Sequence, residues 1–116
     1  MKLVTMLTAA ATAAVATTGL AAENAEASGI QYKACPSGYV CIYEYDYTFV
    51  SKYYTYGSHN LSYMYGLHRI KNSQTGGAKV TLCYGYNGTD CTGPTIPAGK
   101  MYEENLTPIN SIYLYP

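Results

Sequence analysis

Cysteine, histidine, acidic and tyrosine side chains carry whatever chemistry this 116-residue chain has to offer. Cys35, Cys41, Cys83 and Cys91 are an even set in a short chain, which reads as two disulfides formed in an oxidising compartment. Three connectivities exist. The local one, Cys35–Cys41 with Cys83–Cys91, is expected because each pair flanks its own turn. Loop entropy does not select it, since a short bridge contributes about 2–2.5 kcal/mol and a long-range one about 4 kcal/mol. A four-cysteine zinc site is the rival reading, but neither spacing is the close pair that zinc ribbons use. No metal is expected.

His59 and His68 have no Cys or His partner at a metal-ligand spacing, and read as one loop and one strand histidine. Ser62, His59 and Asp46 make a triad only on paper, because no Gly-x-Ser-x-Gly turn presents the serine. Glu103 and Glu104 would face opposite sides of a strand. A solvated turn is the plainer reading, and a glycosidase pair lacks support. With no polar constellation converging, an enzyme is not expected.

Tyrosine stands out. There are fifteen, with one Phe and no Trp, and eight fall between Tyr43 and Tyr65. One small core cannot satisfy fifteen hydroxyls, so some rings must face solvent. Cross-strand pairing that stiffens a sheet accounts for many of them. A recognition surface accounts for the rest, because tyrosine gives contact area at low entropy loss. The expected cluster is Tyr45, Tyr47, Tyr53, Tyr54 and Tyr56, able to stack on sugar rings or to anchor a protein partner.

These residues need a scaffold, and the pattern gives one. From Tyr39 to Tyr45 the residues alternate, Val40 and Ile42 to one side and Tyr39, Cys41, Tyr43 and Tyr45 to the other, as in a half-buried strand. A short edge strand is expected at residues 30–32. Residues 49–56 are β-prone, 57–60 read as a loop, 61–65 as a short strand or a helical turn, and 67–71 as a strand. Residues 72–77 form a polar, glycine-ended loop. In 79–86, Val80, Leu82, Tyr84 and Tyr86 share a face. Asn87-Gly88 signals a tight turn, Thr95-Ile96 a short strand, and residues 109–115 the last strand, with Ile112 and Leu114 inward and Tyr113 and Tyr115 outward. No stretch has a helical apolar period. Two strand–turn–strand halves of about forty residues fit an all-β sandwich of two Greek keys.

Residues 1–27 are set aside as a secretory signal peptide, from Lys2, the uncharged run Leu3–Leu20 and the small residues of Ala25-Glu26-Ala27. Cleavage is expected before Ser28, with an alternative after Ala22. A membrane anchor is disfavoured because the run is weakly apolar. Residues 28–34 are a short leader and 35–116 the domain. Without Lys2, Glu23 and Glu26 the chain keeps six basic and five acidic residues, a formal charge of +1. Such a chain has no electrostatic funnel for nucleic acid and no polybasic membrane patch. A secreted monomer is expected, free of the membrane after cleavage.

Cys-Pro-Ser-Gly-Tyr-Val-Cys-Ile-Tyr-Glu at 35–44 resembles the opening of secreted actinobacterial peptidase inhibitors with a βγ-crystallin fold. Ile109-Asn-Ser-Ile-Tyr-Leu-Tyr115 resembles the last strand of βγ-crystallin domains. Tyr86, Cys91 and Gly93 match the family's Tyr-x4-aromatic-x-Gly hairpin, with Cys in the aromatic place. The first half departs from it: Thr48 and Val50 stand where the aromatic and glycine belong, and Phe49 is expected to take the ring's role with a shifted turn. The calcium runs align with residues 64–69 and 106–111, neither of which holds a carboxylate. Calcium needs six to eight oxygens, several anionic, so no high-affinity calcium site and no other cofactor is expected. The bacterial resemblance reduces the sequons at Asn60, Asn87 and Asn105 to polar turns.

The resemblance implies a binding protein that blocks a secreted peptidase, metallo or serine, by non-covalent occlusion through a disulfide-stiffened loop, 36–39 or 84–93. The alternatives are a cell-wall polysaccharide (chitin or peptidoglycan) binder or antifungal toxin-like protein using exposed tyrosines, and a structural cell-surface protein. Fold does not decide among these.

Overall fold

A computed structural model describes residues 32–116, and among these eight strands and no helix form. The strands are β1 (Val40–Glu44), β2 (Phe49–Tyr53), β3 (Gly57–Asn60), β4 (Leu67–Asn72), β5 (Lys79–Cys83), β6 (Thr95–Ile96), β7 (Met101–Asn105) and β8 (Ser111–Tyr115). The signal peptide and most of the expected edge strand at 30–32 lie outside the described residues. One compact unit spans Lys33–Pro116.

The strands make two four-stranded antiparallel sheets, ordered β2-β1-β4-β7 and β3-β8-β5-β6. In each half of the chain the fourth strand returns beside the first, β4 on β1 and β8 on β5. The third strand of each half leaves for the other sheet: β3 pairs with β8, and β7 with β4.

Alternation places Val40, Ile42 and Ile70 from one sheet against Val80, Leu82, Ile112 and Leu114 from the other, in one buried cluster with Ile96 and Leu106. The expectation of a half-buried first strand fails on its outer side. Cys41 and Tyr43 are as buried as Val40 and Ile42. The segment before β1 covers them: Cys35 is bonded to Cys41, and the Tyr43 hydroxyl donates to Lys33 O at 2.5 Å. Phe49 adds an edge-on ring 5.8 Å from Tyr43, beside a register shift at Ile42/Tyr43.

Two strands were not expected. Gly57–Asn60 reads as a loop by composition, yet pairs residue by residue with β8. Met101–Asn105 holds Glu103-Glu104, yet forms the edge strand beside β4. In both, backbone pairing to an existing sheet outweighs weak β-propensity. Residues 61–65 form neither strand nor helical turn, and β5 ends at Cys83, so Tyr84 and Tyr86 leave its inner face for a loop.

Asn72, fully buried at the end of β4, ties the sheets together. Its Nδ2 donates to Ala78 O at 3.0 Å and Ile96 O at 2.8 Å. Its Oδ1 accepts from Gln74 N at 3.0 Å and Gln74 Nε2 at 3.1 Å. Both polar atoms of the side chain are engaged, as a buried amide requires.

Candidate functional site

Both expected disulfides form, Cys35–Cys41 and Cys83–Cys91, consistent with an oxidising environment. They stiffen two loops differently. The turn 36–39 closes through Tyr39 N to Pro36 O at 3.2 Å. It is pinned to the end of β4 by Gly38 N to Ser73 O at 2.7 Å and Ser73 N to Tyr39 O at 2.8 Å. Gly38 has φ +94°, and a Cβ there would meet the Tyr54 ring at 3.1 Å, so glycine serves both the turn and the ring packed on it.

The loop 84–93 is a folded hairpin standing on the second disulfide. Tyr84 N donates to Asp90 O at 2.9 Å, Gly85 N to Thr89 O at 3.0 Å, and Thr89 N to Tyr86 O at 3.2 Å. The last bond closes the Asn87-Gly88 turn, where both residues have positive φ, as that dipeptide foretells. Neighbouring strands grip the loop from below. Asn60 accepts from Asn87 N at 2.7 Å, Ser111 Oγ accepts from Gly88 N at 3.0 Å and donates to Gly85 O at 2.6 Å, and Asn110 Nδ2 donates to Tyr84 O at 2.7 Å. Gly93 lies so close to β5 that a Cβ would sit 2.5 Å from Leu82 O. These bonds engage much of the loop's backbone, and Tyr84 and Tyr86 are exposed.

The five expected surface tyrosines do not form one cluster. Tyr45 and Tyr47 hold the Arg69 guanidinium between them, at 4.5 and 4.3 Å from their ring centres. Arg69 Nε also donates to Tyr45 O at 2.8 Å. Tyr53 is partly buried: its ring packs against the core, and its hydroxyl accepts from Ser51 Oγ at 2.8 Å. It faces inward because it opposes Val40 across β1–β2, a register the sequence does not reveal. Only Tyr54 and Tyr56 share a recess, of about 270 Å³, with Gly38, Thr55, Gln74 and Thr75. There Tyr54 packs 5.0 Å from Tyr39, and Lys52 Nζ lies 4.8 Å above Tyr39.

A larger groove, of about 400 Å³, lies outside the expected tyrosine cluster. The two most exposed tyrosines line it, Tyr63 at 89% and Tyr65 at 69%, together with Tyr86 at 56%. Its polar walls are Asn60, Ser62, Thr107 and Asn110, over a base of buried Leu61, Met64 and Ile109. The two runs aligned above as calcium sites meet beside it, where Gly66 N donates to Thr107 Oγ1 at 2.7 Å and Leu106 N to Gly66 O at 2.9 Å. The available signal was the pair of polar turns at 60–62 and 105–107 with tyrosines just after the first.

The titratable groups are engaged elsewhere. His59 Nε2 lies 2.8 Å from Thr55 O, and its ring packs near Tyr53. His68, 3% exposed, stands between Gly66 O at 3.1 Å and Glu44 Oε1 at 3.4 Å. Bonds from the Thr48 hydroxyl and backbone hold the Asp46 carboxyl below its usual pKa. Among the described residues no group of three His, Cys, Asp or Glu side chains gathers as metal ligands would. Comparison with protein-family models, curated proteins and solved structures found no match to this chain.

Proposed function

We propose that this chain is a secreted binding protein that inhibits an extracellular peptidase by occlusion, with the loop 84–93 as the part that enters the cleft. The observation that carries the reading is the loop's preorganisation. A disulfide closes its base, its own bonds fold it, and the side chains of Asn60, Asn110 and Ser111 hold it. A loop already fixed loses little ordering entropy on binding, and exposed Tyr84 and Tyr86 offer the rigid aromatic anchors that dominate interface energies. Because much of its backbone is already bonded within the fold, occlusion by this loop is a matter of shape and ring contact.

The fold resemblance gains support from the strand order. The fourth strand of each half returns beside the first, which is the Greek-key connection, and fits a βγ-crystallin-like domain. Two disulfides support a secreted location.

The test is titration of purified, oxidised protein against a panel of secreted metallo- and serine peptidases. Stoichiometric inhibition of one class is expected, weakened at least about tenfold by Tyr84→Ala with Tyr86→Ala, equivalent to one anchor ring. Tyr54→Ala with Tyr56→Ala, on the separate recess, should leave inhibition intact. Absence of inhibition across both classes refutes the proposal.

A further inference from the structure

The groove beside the loop carries a reading of its own. Tyr63 adopts φ +57°, in the left-handed region that bulky residues rarely occupy. Burial does not explain the ring, since it is 89% exposed. Folding therefore gains little from a tyrosine here and loses something through its backbone. Strain of this kind gathers at ligand sites. Tyr65 and Tyr86 display their rings on the same groove.

The walls narrow the chemistry. Among the described residues no Asp, Glu, Lys, Arg or His lines the groove, and its lining is neutral. It offers the hydroxyls of Ser62 and Thr107 and the amide of Asn110, beside Asn60, whose Nδ2 and Oδ1 each already bond Asn87, together with flat aromatic faces. A sugar ring has the matching surface: an apolar face of C–H groups and a rim of neutral hydroxyls that donate and accept. Asn110 Nδ2 is spent on Tyr84 O, which leaves Oδ1 free to accept. The volume, about 400 Å³, lies in the range of small-ligand sites. A peptide anchor would instead favour a deep apolar pocket, whereas here the apolar side chains form only the buried base.

We infer that the groove formed by Tyr63, Tyr65 and Tyr86 with Asn60, Thr107 and Asn110 is a binding site for a neutral oligosaccharide, which would seat the protein on a polysaccharide surface. The groove shares Tyr86 with the loop proposed to enter a peptidase, but Tyr63 and Tyr65 lie outside that loop and the sugar reading does not rest on inhibition.

The test uses the full oxidised protein and two neutral probes, cellotetraose and N,N′,N″,N‴-tetraacetylchitotetraose, followed by NMR shift perturbation and calorimetry. Saturable binding of at least one probe is expected, with shifts centred on Tyr63, Tyr65 and Tyr86. Tyr65→Ala should weaken it about tenfold or more, one ring stack's worth. Tyr63→Gly is the discriminating variant: it removes the ring and the backbone strain together, so it should raise Tm while weakening binding. A purely structural Tyr63 would move neither affinity nor shifts. Failure of both probes to bind at millimolar concentration overturns the proposal. So does binding that maps to the Tyr54–Tyr56 recess, or a groove occupied by a second copy of the chain, seen as a dimer that Tyr63→Gly dissolves.

Discussion

Replacing Asn72 by alanine should be the most damaging single loss of polar contact in this protein. The substitution removes four buried hydrogen bonds, two given by Nδ2 and two received by Oδ1. At about 1 kcal/mol net each, they amount to about 4 kcal/mol. A water that enters the vacated space would return part of this, setting a lower end of about 2 kcal/mol. For a domain of this size each kcal/mol moves Tm by about 4–8 °C, so the expected fall is about 8–30 °C. The assay is thermal unfolding under oxidising conditions, followed by near-ultraviolet circular dichroism of the tyrosines. Two comparisons sharpen it. Asn110→Ala loses one exposed bond, to Tyr84 O, and should lower stability by no more than about 1 kcal/mol. Asn72→Asp keeps the shape but turns a carboxylate oxygen toward two carbonyls, and should do at least as much harm as alanine. A Tm fall below about 5 °C for Asn72→Ala would refute the view that this side chain joins the two sheets.

Breaking Cys83–Cys91 with serines should lower stability by about 2.5 kcal/mol on the loop-entropy model and open the 84–93 loop to proteolysis, read by denaturation and limited digestion. Gly93→Ala forces a Cβ against the Leu82 carbonyl, and should lower stability by about 1–3 kcal/mol in urea unfolding. Asp46 should titrate, by carboxyl NMR, below the ordinary aspartate range; Thr48→Val should raise its midpoint. Because the folded pKa is the lowered one, the contribution of Asp46 to stability is present above the unfolded value and is lost as pH falls through the folded one.

Local periodicity reveals much of this fold. The alternation in 39–45, 79–83 and 111–115 marks three strands, and Asn87-Gly88 marks its turn. What it misses is set by distant partners. Gly57-Ser58-His59-Asn60 has a loop's composition and becomes β3 only because β8 lies alongside. Tyr43 and Tyr53 look alike in sequence to Tyr45 and Tyr54. The first is covered by the segment before β1 and the second is turned inward by its register with Val40. The candidate groove was hidden for the same reason. Its tyrosines come from two loops about twenty residues apart, brought together by pairing that no local pattern records.

The exchange of third strands bears on how the molecule can come apart. Neither half of the chain owns a complete sheet, since β3 completes the sheet of β5, β6 and β8, and β7 that of β1, β2 and β4. Melting either half strips an edge from both sheets, so the domain should unfold as one cooperative unit. A nick in the connection 73–78 would therefore leave two fragments, not joined by either disulfide, that hold each other folded as an obligate pair. The stability of the nicked protein would then rise with its concentration, as that of a two-chain complex does.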